Sequence, residues 1–153
     1  MPEIGEKAPT FELPRDGGGT LTSADFAGKT LVLFFYPRDD TSGCTRESVG
    51  FSKALAAFKA AGAAVVGVSK DSVDSHEKFV ARRELTLPLL SDENGNLCEG
   101  FGVWKEKSMY GKKFMGIERS TFVIDGDGFV RAVWRRVKVP GHVEAVLETV
   151  RNL

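Results

Sequence analysis

Short runs that are apolar at every position alternate along this chain with stretches of helical periodicity, and polar or glycine-rich segments divide them. Leu31-Val32-Leu33-Phe34-Phe35-Tyr36 is the strongest run, with the pattern of a strand buried on both faces. Pro37 ends it, because proline lacks an amide donor and restricts the residue before it, and Asp39-Asp40-Thr41-Ser42-Gly43 supplies turn and capping chemistry. From position 44 to about 61 the period changes: Phe51, Leu55 and Phe58 fall at i, i+4 and i+7, which predicts a helix. A second buried strand over 64–69 leads to a helix over about 72–85, and 87–90 predicts a short further segment. Then follow a short helix near 93–101 and a loop rich in Lys and Gly over 105–116. Residues 121–124 and 129–134 read as strands joined by Asp125-Gly126-Asp127-Gly128, a hairpin signal that predicts antiparallel pairing. The stretch from 140 to about 151 opens with proline and carries Val143, Val146, Leu147 and Val150 on one face, as a closing amphipathic helix does.

Strands alternating with helices imply a parallel sheet covered on both faces, and a terminal hairpin makes the sheet mixed. The predicted architecture is therefore α/β of the thioredoxin-like kind, with helices flanking a central mixed sheet. An N-terminal hairpin precedes it, formed by segments around 11–13 and 20–21 on either side of Gly17-Gly18-Gly19. At 153 residues the chain has the size of one domain, expected to span 1–153.

Lys plus Arg and Asp plus Glu balance at 21 each, so no long-range field draws the protein to nucleic acid or an anionic membrane. The doublets Arg82-Arg83, Lys112-Lys113 and Arg135-Arg136 read as ordinary solvation. Residues 1–7 show neither a basic n-region nor an apolar h-region, and the run over 31–36 is far too short to cross a bilayer. The expectation is a cytoplasmic protein. Two cysteines are too few for a disulfide-stapled scaffold, and in a reducing compartment a conspicuous cysteine points to catalysis, redox chemistry or metal binding.

Cys44 is the conspicuous one, set where an apolar strand passes through a polar turn into a helix. Backbone N–H groups and the positive end of a helix favour a thiolate, and Ser42, Gly43, Thr45 and Arg46 are not core neighbours. Pro37-x-x-x-Thr41-x-x-Cys44 resembles the peroxiredoxin active-site motif. The wider segment from Tyr36 to Glu47 resembles the bacterioferritin-comigratory-protein, or Q-type, branch. Leu90-Ser91-Asp92, Lys105-Glu106-Lys107-Ser108-Met109-Tyr110-Gly111-Lys112 and residues 116–125 are similar to that branch in the same order.

The resemblance implies a thiol-specific peroxidase acting on hydrogen peroxide and organic hydroperoxides. Cys44 matches the peroxidatic cysteine, Thr41 the active-site hydroxyl, Pro37 the residue shielding the site and Arg119 the second-strand arginine. Displacement on peroxide builds charge on the leaving oxygen, which a fixed cation and hydrogen bonds from Thr41 and the amides near Gly43 and Cys44 would stabilise. Arg119 suits that role by its permanent charge and rigid fork of donors, whereas its plain alternative is a surface pair with Glu118 or Glu47. Glu47, one turn past Cys44, is a secondary candidate for holding an arginine, with a solvated helix carboxylate as the alternative. The sulfenic acid left on Cys44 must be resolved by a thiol. Many members of the branch carry a cysteine five residues on, where this chain has Val49. By resemblance the resolving residue is then Cys98, through an intramolecular disulfide that requires local unwinding, with a buried core cysteine as the alternative. The family also implies thioredoxin as reductant, with glutaredoxin or glutathione as further options, and a monomer or weak dimer.

No cofactor is expected, and no metal, because Cys44, Cys98, His76 and His142 lack ligand spacing. His76 reads as a structural histidine on a helix face and His142 as exposed. Asp125-Gly126-Asp127-Gly128 lacks the rest of a calcium loop, and Trp104 and Trp134 read as packing residues. Phe35, Trp104 and Phe114 are candidates to accommodate an organic hydroperoxide. Three other readings stand beside the two-cysteine peroxidase: a one-cysteine peroxidase resolved by an external thiol, a thioredoxin-like thiol-disulfide oxidoreductase, which would want a C-x-x-C where Thr41 stands, and a non-enzymatic redox-sensing binding module.

Overall fold

A computed structural model describes residues 2–153. The N-terminal hairpin pairs β1 (Glu12–Pro14) with β2 (Thr20–Thr22), and Gly17, Gly18 and Gly19 between them all have positive φ, which explains the glycine run. β3 (Thr30–Phe35) leads through the 36–41 loop into α1 (Ser42–Lys53) and α2 (Leu55–Ala60), after which β4 (Ala63–Ser69) returns parallel to β3. α3 (Val73–Arg83) crosses to β5 (Leu89–Ser91), which extends the sheet in parallel beside β4. The short α4 (Leu97–Gly100) and a hairpin of β6 (Trp104–Met109) and β7 (Lys112–Ile117) come next. β8 (Ser120–Ile124) pairs antiparallel with β3, β9 (Val130–Trp134) with β8, and α5 (His142–Arg151) closes the described chain. The five-stranded sheet has the order β5-β4-β3-β8-β9, the mixed sheet expected.

Because side chains alternate across a strand, β3 feeds two separate cores. Leu31, Leu33 and Phe35 pack with Leu13, Phe101 and Cys98 on one face, under α4 and the N-terminal hairpin. Val32, Phe34 and Tyr36 pack with Cys44, Phe51, Phe58, Phe79 and Val146 on the other, under α1, α2, α3 and α5. The aromatic rings set much of that second layer: Phe51 stacks on Phe34 at 4.6 Å between centroids and tilts against Phe58 at 5.8 Å.

Four local expectations are corrected. The first long helix begins at Ser42 and is interrupted at Ala54. The break spans a single residue, since Ala54 N still donates to Gly50 O and Phe58 N to Ala54 O. The helix near 93–101 shortens to α4, whose start is fixed by the buried Asp92 carboxylate accepting Leu97 N at 3.0 Å and Cys98 N at 2.8 Å. The 105–116 loop is instead a hairpin. Its two-residue turn places Tyr110 and Gly111 at φ 53° and 77°, the pair of positive angles that matches strand twist. Phe129 precedes β9 rather than opening it, its amide donating to Asp125 Oδ1 in the turn. Among the described residues no helix is long and apolar enough to cross a membrane.

Candidate active site

Cys44 is the third residue of α1, in the first turn, where helix N–H groups have no partner inside the helix. Thr41 is the N-cap, with extended backbone and no side-chain cap hydrogen bond. Its hydroxyl donates back to Arg38 O at 2.9 Å, while its carbonyl accepts Thr45 N. Pro37 lies half-buried just after Tyr36, on the same loop. The register that sets Phe35 opposite Ser120 brings the end of β3 to the start of β8, and so Arg119 to Cys44 across 75 positions of sequence.

Arg119 divides its guanidinium between two anions or potential anions. Nη2 donates to Cys44 Sγ at 3.3 Å and Nη1 to Glu47 Oε1 at 2.8 Å. This settles its partner: Glu47 rather than Glu118, whose carboxylate lies 3.8 Å from Arg136. A methyl group on Gly43 would stand 3.1 Å from Arg119 Nη2, so glycine leaves room for the cation beside the first turn. Cys44 itself is only 1% exposed.

Glu47 is fully buried rather than solvated, and burial pushes its carboxyl up to about 7 against the pull of Arg119. Its Oε2 has no hydrogen-bond partner and lies 4.0 Å from His142 Nε2. His142, expected to be exposed, is buried edge-on to Phe51 and Trp134, with Nε2 2.8 Å from Thr121 Oγ1. Burial, then the charge of Arg119, lower its pKa to about 4, so the ring is neutral near pH 7. The missed signal was spacing: His142, Val146 and Val150 stand at i, i+4 and i+8 on the buried face of α5. Lys107 was also missed as a neighbour. From β6 its ammonium donates to Ile117 O, and burial, then Arg119, lower its pKa while Cys44 pulls it back.

Cys98 is not brought to Cys44. Both are free thiols, but Cys98 is fully buried in the core on the opposite face of the sheet. Burial, then Asp92, push its thiol well above the ordinary range. Phe35 also faces that opposite core, so it does not line the approach to Cys44 as anticipated, whereas Phe114 is exposed on the β6–β7 hairpin and Trp104 is half-buried beneath Lys70 Nζ.

Asp39, Asp71 and His76 form a group close enough to ligate a metal. Most of their ligand atoms are engaged within the protein: Asp39 accepts Tyr36 OH, Ser75 Oγ and His76 Nδ1, and Asp71 Oδ2 accepts Asp39 N and Ser69 Oγ. With His76 Nε2 on Leu90 O, the group works as a hydrogen-bond network between the 36–41 loop, β4 and α3.

A model of the AhpC/TSA family matches residues 4–133. Peroxiredoxin Bcp of Bacillus subtilis is 46% identical over 151 residues, covering 99% of this chain and 96% of that protein. Peroxiredoxin Q of Xylella fastidiosa, solved as a cysteine-to-serine mutant, superposes with a TM-score of 0.95 at 41% identity, over 99% of this chain and 97% of that one. A structure of the bacterioferritin comigratory protein of Xanthomonas campestris, described for its alkyl peroxide reduction activity, superposes with a TM-score of 0.88 at 46% identity, over 93% of this chain and 90% of that one.

Proposed function

This chain belongs to the AhpC/TSA family, in its bacterioferritin-comigratory-protein or peroxiredoxin Q branch, and from that premise we propose that Cys44 is the peroxidatic cysteine of a hydroperoxide reductase. The protein is a thiol-dependent peroxidase. The observation that carries the assignment of residues is the Arg119 guanidinium, held by Glu47 and donating to Cys44 Sγ.

The Cys44 thiolate attacks one oxygen of the peroxide. A new S–O bond forms as the O–O bond breaks, and the electron pair leaves on the distal oxygen, which takes a proton and departs as water or an alcohol. Arg119 and the free amides of the first turn face the charge that develops. The Thr41 hydroxyl donates its proton to Arg38 O, which leaves its oxygen as an acceptor to orient a peroxide O–H. Pro37, half-buried on the same loop, takes the shielding role that the family pattern gives it. Hydrogen peroxide and small alkyl hydroperoxides are the substrates of this reading, the latter supported by the activity described for the Xanthomonas campestris relative.

Cys44 is left as a sulfenic acid, and a thiol condenses with it to give a disulfide and water. Cys98 is the in-chain candidate. To serve, it must leave the far face of the sheet while both α4 and the first turn of α1 unwind. The separation of the two cores favours a second route, direct attack by an external thiol. Thioredoxin is the terminal reductant in either route, and the protein works as a cytoplasmic monomer. Peroxide-dependent NADPH loss coupled to thioredoxin and its reductase tests the scheme. Cys44→Ser abolishes turnover, and activity surviving there overturns the assignment. Cys98→Ser loses turnover under the intramolecular route and keeps it under the external one.

A further inference from the structure

The loop that brings Pro37 and Thr41 to the site is tied to α3, and Asp39 is the point of attachment. Asp39 Oδ1 accepts Tyr36 OH at 2.6 Å, and Oδ2 accepts Ser75 Oγ at 2.8 Å and His76 Nδ1 at 2.7 Å. Its amide donates to Asp71 Oδ2 at 2.8 Å. Asp40 follows with φ 60°, a left-handed conformation that directs its carboxylate to Arg82 and Arg83 at 2.6 and 2.8 Å. Thr41, the N-cap of α1, is the next residue.

His76 sits at the centre of this attachment and is fully buried. Its second nitrogen, Nε2, lies 2.8 Å from Leu90 O. A backbone carbonyl only accepts hydrogen bonds and a carboxylate does so by preference, so both ring nitrogens are placed to donate, an arrangement that favours the imidazolium. Burial opposes that charge, and the hydrogen bond and charge of Asp39 outweigh it, so its pKa is raised. The other groups facing the ring are the Tyr36 phenol, kept neutral by burial and by Asp39, and the Asp71 carboxylate.

Cys44 is 1% exposed, which keeps the thiol of a larger reductant from reaching its sulfur in this conformation. After oxidation the first turn of α1 must open, and that turn begins one residue beyond the attached loop. On the reading of Cys44 as the reacting thiol, we propose that His76 is a positioning residue of the peroxidase cycle: through Asp39 it holds the 37–41 loop, keeping Cys44 poised for peroxide and delaying its exposure to the reducing thiol. The same hold sets how long the sulfenic acid stays open to a second peroxide, which would carry the sulfur to the sulfinic acid.

The test uses the whole reduced chain in two variants, His76→Phe, which fills the ring's volume without its donors, and Ser75→Ala, which removes one donor to Asp39 and leaves the ring in place. Three quantities are read: the rate of peroxide oxidation by stopped-flow tryptophan fluorescence, the rate of sulfenic acid capture by thionitrobenzoate, and the sulfinic fraction by mass spectrometry. Both variants oxidise severalfold more slowly, are captured severalfold faster and form less sulfinic acid. A role in stability alone would lower the melting temperature without speeding capture. Because a raised histidine pKa means that the charged tie is present at low pH and lost as pH rises through it, the ratio of His76→Phe to wild-type capture rates falls toward one with increasing pH. Capture rates within twofold of wild type in every variant that folds overturn the proposal. Absence of Cys44 oxidation in the wild type would instead overturn the peroxidase assignment on which it rests.

Discussion

Replacing Glu47 with glutamine tests whether the protein accepts instability to hold its cation in place. The side chain is fully buried, Oε1 binds Arg119, and Oε2 has no partner. Its carboxyl is raised from 4.5 to about 7, so the folded chain binds this proton more tightly than the unfolded one. The stability linked to Glu47 is therefore complete below the unfolded value and is lost as pH rises through about 7. At about 1.4 kcal/mol for each tenfold change in proton affinity, the ionised form is less stable by about 3 kcal/mol.

Glutamine keeps an oxygen for Arg119 Nη1 and places a neutral amide where the unpartnered Oε2 stands, near His142 Nε2. Losing the charge opposite Arg119 offsets part of the gain, leaving the variant more stable than wild type by about 1–2 kcal/mol at pH 8 and near equal to it at pH 5. Urea unfolding of the reduced proteins at pH 5, 6, 7 and 8 measures this. The wild-type midpoint falls across the series while the difference between the two proteins widens. The peroxide rate moves the other way, dropping about tenfold, because a neutral acceptor holds Arg119 roughly half as strongly as a charged one. Parallel unfolding curves at all four pH values would show that Glu47 does not carry the proton assigned to it.

Arg119→Met removes the donor aimed at the developing charge and lowers the second-order rate with hydrogen peroxide about 10²–10³-fold; a loss below tenfold would remove Arg119 from the chemistry. Its effect on stability at pH 6 is small, because Glu47, its carboxyl raised to about 7, is already mostly protonated there and leaves little buried charge unpaired. Gly43→Ala puts a methyl 3.1 Å from Arg119 Nη2, so peroxide oxidation slows severalfold while the urea midpoint holds or rises, alanine being favoured over glycine in a helix by up to about 1 kcal/mol. A variant as fast as wild type would show that the cation has slack. Asp92→Ala leaves the amides of Leu97 and Cys98 without their buried acceptor, destabilises the chain by about 2–4 kcal/mol and speeds alkylation of Cys98. Unchanged alkylation would show that α4 holds without this cap.

What the sequence revealed followed from how much of each signal is local. The run over 31–36 announces its strand because both of its faces are buried, and the strand-turn-helix context of Cys44 is written in consecutive residues. The β6–β7 hairpin was hidden because its strands carry Lys105, Lys107, Lys112 and Lys113 with half or more of their positions exposed. No apolar alternation rises above that polar background, and the turn depends on Tyr110 taking a left-handed angle that tyrosine rarely adopts. Arg119 was identified through a resemblance, but its real constraint, the buried Glu47, depends on the register of β8 against β3, which no local pattern encodes.

His142 and His76 show the same limit from the polar side. A histidine reads as surface by composition, yet each lies inside because a partner from a distant segment meets it: Thr121 across 21 positions for the first, Asp39 across 37 for the second. Helical spacing places His76 on a structural helix face, whereas His142 reads as exposed although it stands four residues before Val146; neither reading says what the ring touches. The two rings then diverge. Burial and the charge of Arg119 keep His142 neutral near pH 7, whereas Asp39 favours the charged form of His76, so the same residue type is pushed in opposite directions at two places around the site. The arrangement separates two tasks. On the proposed mechanism, the α5 side supports the cation that promotes attack on peroxide, and the α3 side governs the loop from which the sulfur is later released. Substitutions on the two sides should therefore act independently, with His142→Phe altering the attack rate alone and adding to the effect of His76→Phe on that rate without changing capture; non-additive rates in the double variant would show one coupled network instead of two.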